Sequence, residues 1–319
     1  MGHRRKIAVI LGGINSERDV SMDSGLRIAE ALVSLGHEVT PVVYEGDIGS
    51  MISSVAEFDL VFNALHGGDG EDGTIQRALE ESQIRYTGSR PRASQQAMDK
   101  HLSKQLMIET GVPTPSWVNI NLEDAGDIPH LDDHPGLRSF LSVHSFPLVV
   151  KPNREGSTVG LTIIDVPENM TEALLIAREF GSSILIETYI PGRELTAAIL
   201  DQEPLPLVEI IPKHATYDYE CKYSDGMSDY FVPAELSSAV TTQIQEAALR
   251  IYNEIGCSHY ARIDFRLNPE GAFFCLECNT LPGMTTHSLV PMAARAVGIS
   301  FSQLVEQIVS LAMQDAEGT

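Results

Sequence analysis

The sequence predicts an α/β protein that opens on a parallel sheet. Apolar runs at residues 6–11, 37–44 and 58–64 have the length and pattern of strands. Between the first two, Ile28, Ala31, Leu32 and Leu35 recur at helical spacing within residues 21–35, and Gly36 is placed to end that helix. A strand–helix–strand series of this kind gathers ligands at the carboxyl ends of its strands. The 319 residues allow two or three domains.

Beyond the first sheet, residues 95–110 read as one helix carrying Lys100, ended by Gly111 ahead of Pro113 and Pro115. The acidic, proline-containing stretch 122–136 reads as a surface loop. Residues 146–151 form a strand ending on Lys151, 161–165 another, and 170–180 a helix. Residues 183–189 form a strand that opens a third region, and 301–313 a final helix.

Composition narrows the function classes. A formal net charge of −22 argues against nucleic acid, whose phosphates need basic patches. No apolar run has the length of a membrane span. The basic residues 1–6 lead into a short strand ending in Gly12-Gly13, without the apolar region of a signal peptide, so a cytoplasmic location is expected. Cys221, Cys257, Cys275 and Cys278 are scattered. Odd spacing sends Cys275 and Cys278 to opposite faces of a regular strand, and all four are expected as reduced packing thiols.

The residues 259–283 predict a β-hairpin. Ile263, Phe265 and Leu267 alternate with Arg262, Asp264 and Arg266, and Asn268-Pro269-Glu270-Gly271 has turn chemistry. Closure over Pro269-Glu270 would set Arg262 opposite Glu277 and Asp264 diagonal to it. Asp264, Glu277 and Asn279 then form either an ion-pair face built on Arg262 or an oxygen-donor site for Mg²⁺.

Other segments carry chemistry. In Gly12-Gly13-Ile14-Asn15-Ser16-Glu17, the glycines present amides at a helix start. Glu17 there either favours the helix dipole or holds a substrate ammonium. His66 leads the glycine-rich loop 66–73, which follows a strand on the same edge. Residues 154–160, Arg-Glu-Gly-Ser-Thr-Val-Gly, lack a Walker pattern but have the small residues, hydroxyls and amides of a phosphate-covering loop. Lys100 and Lys151 are placed to neutralise phosphate oxygens. Glu187 and Glu194 flank a turn between strands, and the polar stretch 217–226 has the character of a lid. Gly283 exposes amides near the proposed metal. Ser288 is placed to cap the next helix, where a substrate carboxylate would also bind.

Taken in order, GGINSERDVS, HGGDGEDG, EGSTVG, KYSDGMS, RIDF and ECNTLPGMTTHS resemble the motifs of D-alanine–D-alanine ligases, a branch of the ATP-grasp superfamily. The resemblance spans nearly the whole chain. It implies three α/β domains, at 1–92, 93–186 and 187–319, with ATP gripped between the second and third. It implies ATP-driven joining of two D-alanines for peptidoglycan precursors, with ATP as co-substrate and two Mg²⁺ or Mn²⁺. Glu17 would hold the ammonium of the first D-alanine with His66 nearby, and Glu17, Ser157 and Tyr223 would link site, loop and lid. Lys100, Lys151 and Lys222 would contact phosphates. Glu187, Thr188 and Ile190 would face the adenine and Glu194 the ribose. Asp264, Glu277 and Asn279 would hold the metals. Arg262 and the Gly283 amide would stabilise an oxyanion, and Ser288 and the Leu289 amide would bind the second carboxylate. A homodimer is the implied assembly. The serine of KYSDGMS sits one place earlier than in many relatives. Tyr223 matches the dipeptide-forming type, and the alternative is another ATP-grasp carboxylate–amine or carboxylate–hydroxyl ligase, such as a D-alanine–D-lactate ligase.

Overall fold

The computed structural model describes residues 4–122, 134–213 and 226–315. Three sheets organise them. In the first, β1 (Lys6–Gly12) lies between β2 (Glu38–Tyr44) and β3 (Leu60–Asn63), all parallel. Helices α1 (Arg18–Ser34), α2 (Ile48–Val55), α3 (Gly68–Glu71) and α4 (Thr74–Glu81) connect and flank these strands. After Lys6, β1 is apolar and buried, as a central parallel strand requires. β2 carries Pro41 and is mostly exposed, as suits an edge. Gly36, at φ +94°, ends α1: the His37 amide donates to the Leu32 carbonyl at 3.2 Å.

The expected helix over 95–110 is two helices, α5 (Pro91–Met98) and α6 (Lys100–Glu109). Asp99 breaks it. Its backbone is extended and its carboxylate accepts the Leu102 amide at 3.1 Å, so it caps α6 and leaves Lys100 as the first helical residue. The second sheet, in the order β4-β7-β5-β6, is antiparallel. It comprises β4 (Trp117–Asn121), β5 (Leu148–Pro152), β6 (Thr162–Ile164) and β7 (Ser183–Thr188), packed on α7 (Pro135–Val143) and α8 (Met170–Arg178). β7 therefore pairs within this sheet rather than opening the third region. Most of the expected loop 122–136 lies outside the described residues.

The third sheet runs β11-β10-β8-β12-β13, with β9 paired to β8. Its strands are β8 (Arg193–Leu200), β9 (Glu203–Pro204), β10 (Val208–Pro212), β11 (Ser228–Phe231), β12 (Tyr260–Leu267) and β13 (Phe273–Asn279). Helix α9 (Ser238–Ile255) shares a core with its inner face, and so do α5 and α6. The last helices, α10 (Leu289–Ala296) and α11 (Phe301–Gln314), bury Val290, Leu304 and Ile308 with Ile7, Val9 and Leu32 of the first sheet and its helix. The two ends of the chain thus build one core. No single helix among the described residues is long and apolar enough to cross a membrane.

The β12–β13 hairpin departs from the expected register. Leu267 pairs with Phe273 around a longer turn, and a bulge between Asp264 and Phe265 shifts the ladder again. Asp264 therefore stands opposite Glu277, and Arg262 opposite Asn279. The bulge also corrects the cysteines: Cys275 and Cys278 are both buried in one core, and the Cys278 sulfur lies 3.7 Å from that of Cys257.

Gly192 joins the second sheet to the third. At φ +116°, a Cβ there would lie 2.2 Å from the Leu267 carbonyl oxygen. Gly192→Ala is expected to destabilise the protein by about 2 kcal/mol or more, measured by urea unfolding, because both conformation and contact oppose it. A second tie titrates. The Gly88 amide donates to His259 Nδ1 at 2.9 Å, so Nε2 carries the proton and donates to Asp315 at 3.0 Å. Burial holds the His259 ring below its ordinary pKa against the opposing pull of Asp315. The unfolded chain then binds more protons below pH 6.5, so stability falls with pH from there toward the folded value. Wild type is expected to lose up to about 1.4 kcal/mol per pH unit through this residue. His259→Asn should show a shallower loss between pH 7.5 and 5.5, roughly the range a histidine spans; equal slopes would discharge His259.

Candidate active site

A cleft opens between the second and third sheets. Among the residues anticipated from sequence, Lys100, Lys151, Ser157, Glu187, Thr188, Ile190, Glu194, Asp264 and Glu277 line it. A smaller chamber shares Lys100, Gly156 and Glu277 with the cleft and adds Glu71, Asn279 and Thr280. Three lysines (Lys100, Lys104 and Lys151) lie in or directly beneath the cleft. In a protein of net charge −22, that concentration suits an anionic ligand.

The floor is set by β5 and β7, adjacent strands whose register brings Lys151 and Glu187 to the same face. Lys151 Nζ lies 2.6 Å from Glu187 Oε1, and Lys104 Nζ, from α6, lies 2.8 Å from Oε2. Glu187 is 3% exposed. Burial alone would push its pKa up, but the two ammonium groups prevail and hold it below the ordinary carboxylate range. At the far end, Arg266 Nε donates to the Ile190 carbonyl at 3.0 Å, and Nη1 lies 3.1 Å from Glu194. This fixes the strap 188–190 beside the cleft.

The loop 154–160 is anchored at its base. Asp99 accepts from Asn153 Nδ2 at 2.9 Å and from Arg154 at 2.8 and 3.0 Å. Burial opposes its charge, yet these donors and the Leu102 amide hold its pKa down. Lys100 Nζ donates to the Glu155 carbonyl at 2.6 Å and lies 3.5 Å from Glu277. At the tip, Ser157 and Thr158 have positive φ, a conformation that costs L-residues about 1–2 kcal/mol each. The Ser157 hydroxyl donates to Glu17, joining residues 140 positions apart.

Glu17 is buried at the start of α1, its carboxylate against the backbones of Gly67 and Gly156. Asn15, not anticipated from sequence, holds this edge: its Oδ1 accepts the Glu17 amide and its Nδ2 donates to the His66 carbonyl, both at 2.9 Å. His66 is buried, with Nδ1 3.1 Å from the Leu281 carbonyl and Nε2 3.1 Å from Ser24 Oγ. The structure thus places it as a tie between the first-sheet edge and the segment leading to Gly283.

On the hairpin, Arg262 grips Asp264 through Nε and Nη2 at 2.9 and 2.8 Å. Thr196 Oγ1 donates to Asp264 at 2.6 Å, and Asn279 Nδ2 lies 3.2 Å from it. Asp264 and Glu277 stand directly opposite, with Asn279 two residues on. Two carboxylates and an amide oxygen, partly exposed on one rim, fit the oxygen-donor preference of Mg²⁺ or Mn²⁺.

Ser288 occupies the N-cap position of α10 but makes no side-chain cap, contrary to expectation. Its Oγ accepts the Thr285 amide at 2.9 Å and lies where a Cβ on Gly283 would intrude, at 2.8 Å. The Leu289 side chain is buried. Lys222 and Tyr223 lie outside the described residues. Lys104, Asp99, Arg154, Arg266 and Asn15 were not singled out from sequence. Arg266 left a signal in its period-2 alignment with Arg262 and Asp264, and Asn15 and Arg154 stand within the glycine-rich segments 12–17 and 154–160.

Comparison with known proteins gives this arrangement a family. A family model described as "D-ala D-ala ligase C-terminus" matches residues 106–310, and one described as "D-ala D-ala ligase N-terminus" matches residues 46–89. The chain is 39% identical over 307 residues to the D-alanine–D-alanine ligase of Syntrophotalea carbinolica, covering 96% of each protein. It is similar to the crystal structure of the D-alanine–D-alanine ligase from Bacillus anthracis complexed with ATP, with a TM-score of 0.83, 32% identity, and coverage of 98% of this chain and 100% of that one. It is also similar to the VanG D-Ala:D-Ser ligase of Enterococcus faecalis, with a TM-score of 0.82, 27% identity, and coverage of 97% and 100%. A model match over most of the chain, with identity maintained nearly end to end, places the protein: it belongs to the D-alanine–D-alanine ligase family.

Proposed function

We propose that the chain joins two D-alanines into D-alanyl-D-alanine for peptidoglycan precursors, consuming ATP and releasing ADP and phosphate. One observation carries the reading to the level of chemistry. The cleft and the smaller chamber meet at Lys100, Gly156 and Glu277, so a γ-phosphoryl group in one and a carboxylate in the other would face each other there.

A carboxylate is a poor electrophile, and phosphorylation makes it a good one. The first D-alanine, its ammonium on Glu17, would direct a carboxylate oxygen at the γ-phosphorus. The bond from phosphorus to the bridging oxygen breaks, ADP leaves, and D-alanyl phosphate forms. Lys100 and Lys151 would offset charge on the phosphates, while Glu187, Thr188 and Ile190 surround the adenine and Glu194 takes the ribose. Asp264, Glu277 and Asn279 would hold two Mg²⁺ or Mn²⁺, which when bound supply further charge neutralisation to phosphoryl transfer.

The deprotonated amine of the second D-alanine then attacks the acyl carbon, and phosphate departs. Arg262, its plane fixed by Asp264, and the Gly283 amide would stabilise the oxyanion. Ser288 and the Leu289 amide would hold the second carboxylate. His66 acts from behind, setting the edge against the Leu281 segment. Lys222 and Tyr223 complete the reading as lid residues that exclude water from the acyl phosphate. The domain limits 1–92, 93–186 and 187–319, a homodimer and a cytoplasmic setting belong to the same proposal.

The test is phosphate release from MgATP with D-alanine, set beside D-serine and D-lactate as second substrates. Release dependent on D-alanine alone is expected. Absence of D-alanine-dependent release defeats the reading, and preference for D-lactate redirects it to depsipeptide formation. Glu277→Gln is expected to lower kcat by more than about 100-fold while leaving the melting temperature within a few degrees. Near-normal turnover in that variant would remove Glu277 from the metal site.

A further inference from the structure

Glu187 is held by two lysines that differ in what else they touch. Lys151 lines the open cleft. Lys104 lies behind it, with a fully buried side chain. An ammonium has three N–H donors. Lys104 Nζ donates to Thr114 Oγ1 at 2.7 Å and to the Pro115 carbonyl at 3.3 Å, and forms an ion pair with Glu187 Oε2 at 2.8 Å. The ammonium also stands 5.5 Å from the centre of the Trp117 ring. Lys104 is therefore fixed where it is, whereas Lys151 can exchange its carboxylate for a phosphate arriving in the cleft.

That exchange has a cost. A buried carboxylate stripped of its cation is strongly destabilising. A second, immobile lysine removes the difficulty, because Glu187 stays paired when Lys151 turns away. Building on the reading of Glu187 as the residue that faces the adenine, we propose that Lys104 is a positioning residue for nucleotide binding. It keeps Glu187 ionised and aimed at the base while Lys151 serves the triphosphate. An ionised acceptor favours a base edge bearing an amino group over one bearing a carbonyl, so Lys104 also supports selection of adenine over hypoxanthine.

Steady-state kinetics with ATP and ITP test this in wild type, Lys104→Met, Glu187→Gln and the double variant. Wild type should prefer ATP. Lys104→Met should raise KM for ATP about tenfold or more, the scale of a lost hydrogen bond to a charged group. Its kcat at saturating ATP should stay within about threefold, and its preference for ATP over ITP should narrow. In the Glu187→Gln background the same substitution should add little, since its effect passes through that carboxylate. An unchanged KM for ATP in Lys104→Met, or an equal loss in both backgrounds, overturns the proposal. Should Lys104→Met not fold, Thr114→Val, which removes one acceptor of the ammonium, is examined in the same assay. A raised KM for ATP then supports the role and an unchanged one overturns it. Wild type without D-alanine-dependent turnover would defeat the functional reading itself; an active wild type with an indifferent Lys104→Met defeats only the role of Lys104.

Discussion

The site depends on one electrostatic constraint: a strongly acidic chain must hold a few cations at a single cleft before any anionic ligand arrives. It does so by giving each a carboxylate. Lys104 and Lys151 share Glu187, Arg262 takes Asp264, Arg266 takes Glu194, and Lys100 approaches Glu277. An unpaired buried charge costs several kcal/mol, so these pairs let the cations sit in low dielectric without unfolding the cleft. The pairing also orients them. A guanidinium gripped through two nitrogens, as Arg262 is by Asp264, has a fixed plane.

The same pairs separate what was legible in the sequence from what was not. Strands and helices announced themselves by period, because a half-buried strand alternates and a surface helix repeats every three to four residues. Loop chemistry was legible where glycines, hydroxyls and acids cluster, as at 12–17, 66–73 and 154–160. The hairpin register was not. It depends on the turn around Asn268 and on the bulge after Asp264, and neither changes the alternation that the eye follows. The bulge is why Asp264 faces Glu277 squarely and why Cys275 and Cys278 share a face. Asp99, likewise, sits within a helical pattern. Only its capping bond and its grip on Arg154 show that the helix stops and restarts there.

Long-range partners were the least legible. Lys104 belongs to no local pattern, and its role exists only because α6 lays it beneath β7. Asn15 joins two loops 51 residues apart through a single side chain. Chain order also misassigns packing: α5 and α6 precede the second sheet in sequence but bury Ala93, Ala97 and Met107 with the third. The C-terminal helices return to the first sheet, where His37 Nε2 lies 2.8 Å from Glu306. Burial of apolar surface drives such choices, and it acts between segments whatever their separation in the chain.

These long-range contacts converge on the smaller chamber. Ser157 reaches Glu17, His66 reaches Leu281, Ser24 accepts the Met284 amide, and Lys100 spans from Glu155 toward Glu277. Each joins segments that belong to different sheets or to different loops around them. A chamber assembled in this way holds its geometry only when all of its segments are in place, because no one segment supplies both an anion for an ammonium and the cations for a phosphate. Chemistry that passes through an acyl phosphate needs that property, since a partly assembled site would activate the carboxylate and then lose it to water. The physical reason for a fold of three sheets, rather than one sheet with long loops, is that the groups flanking the reaction are each supported by a separate rigid element.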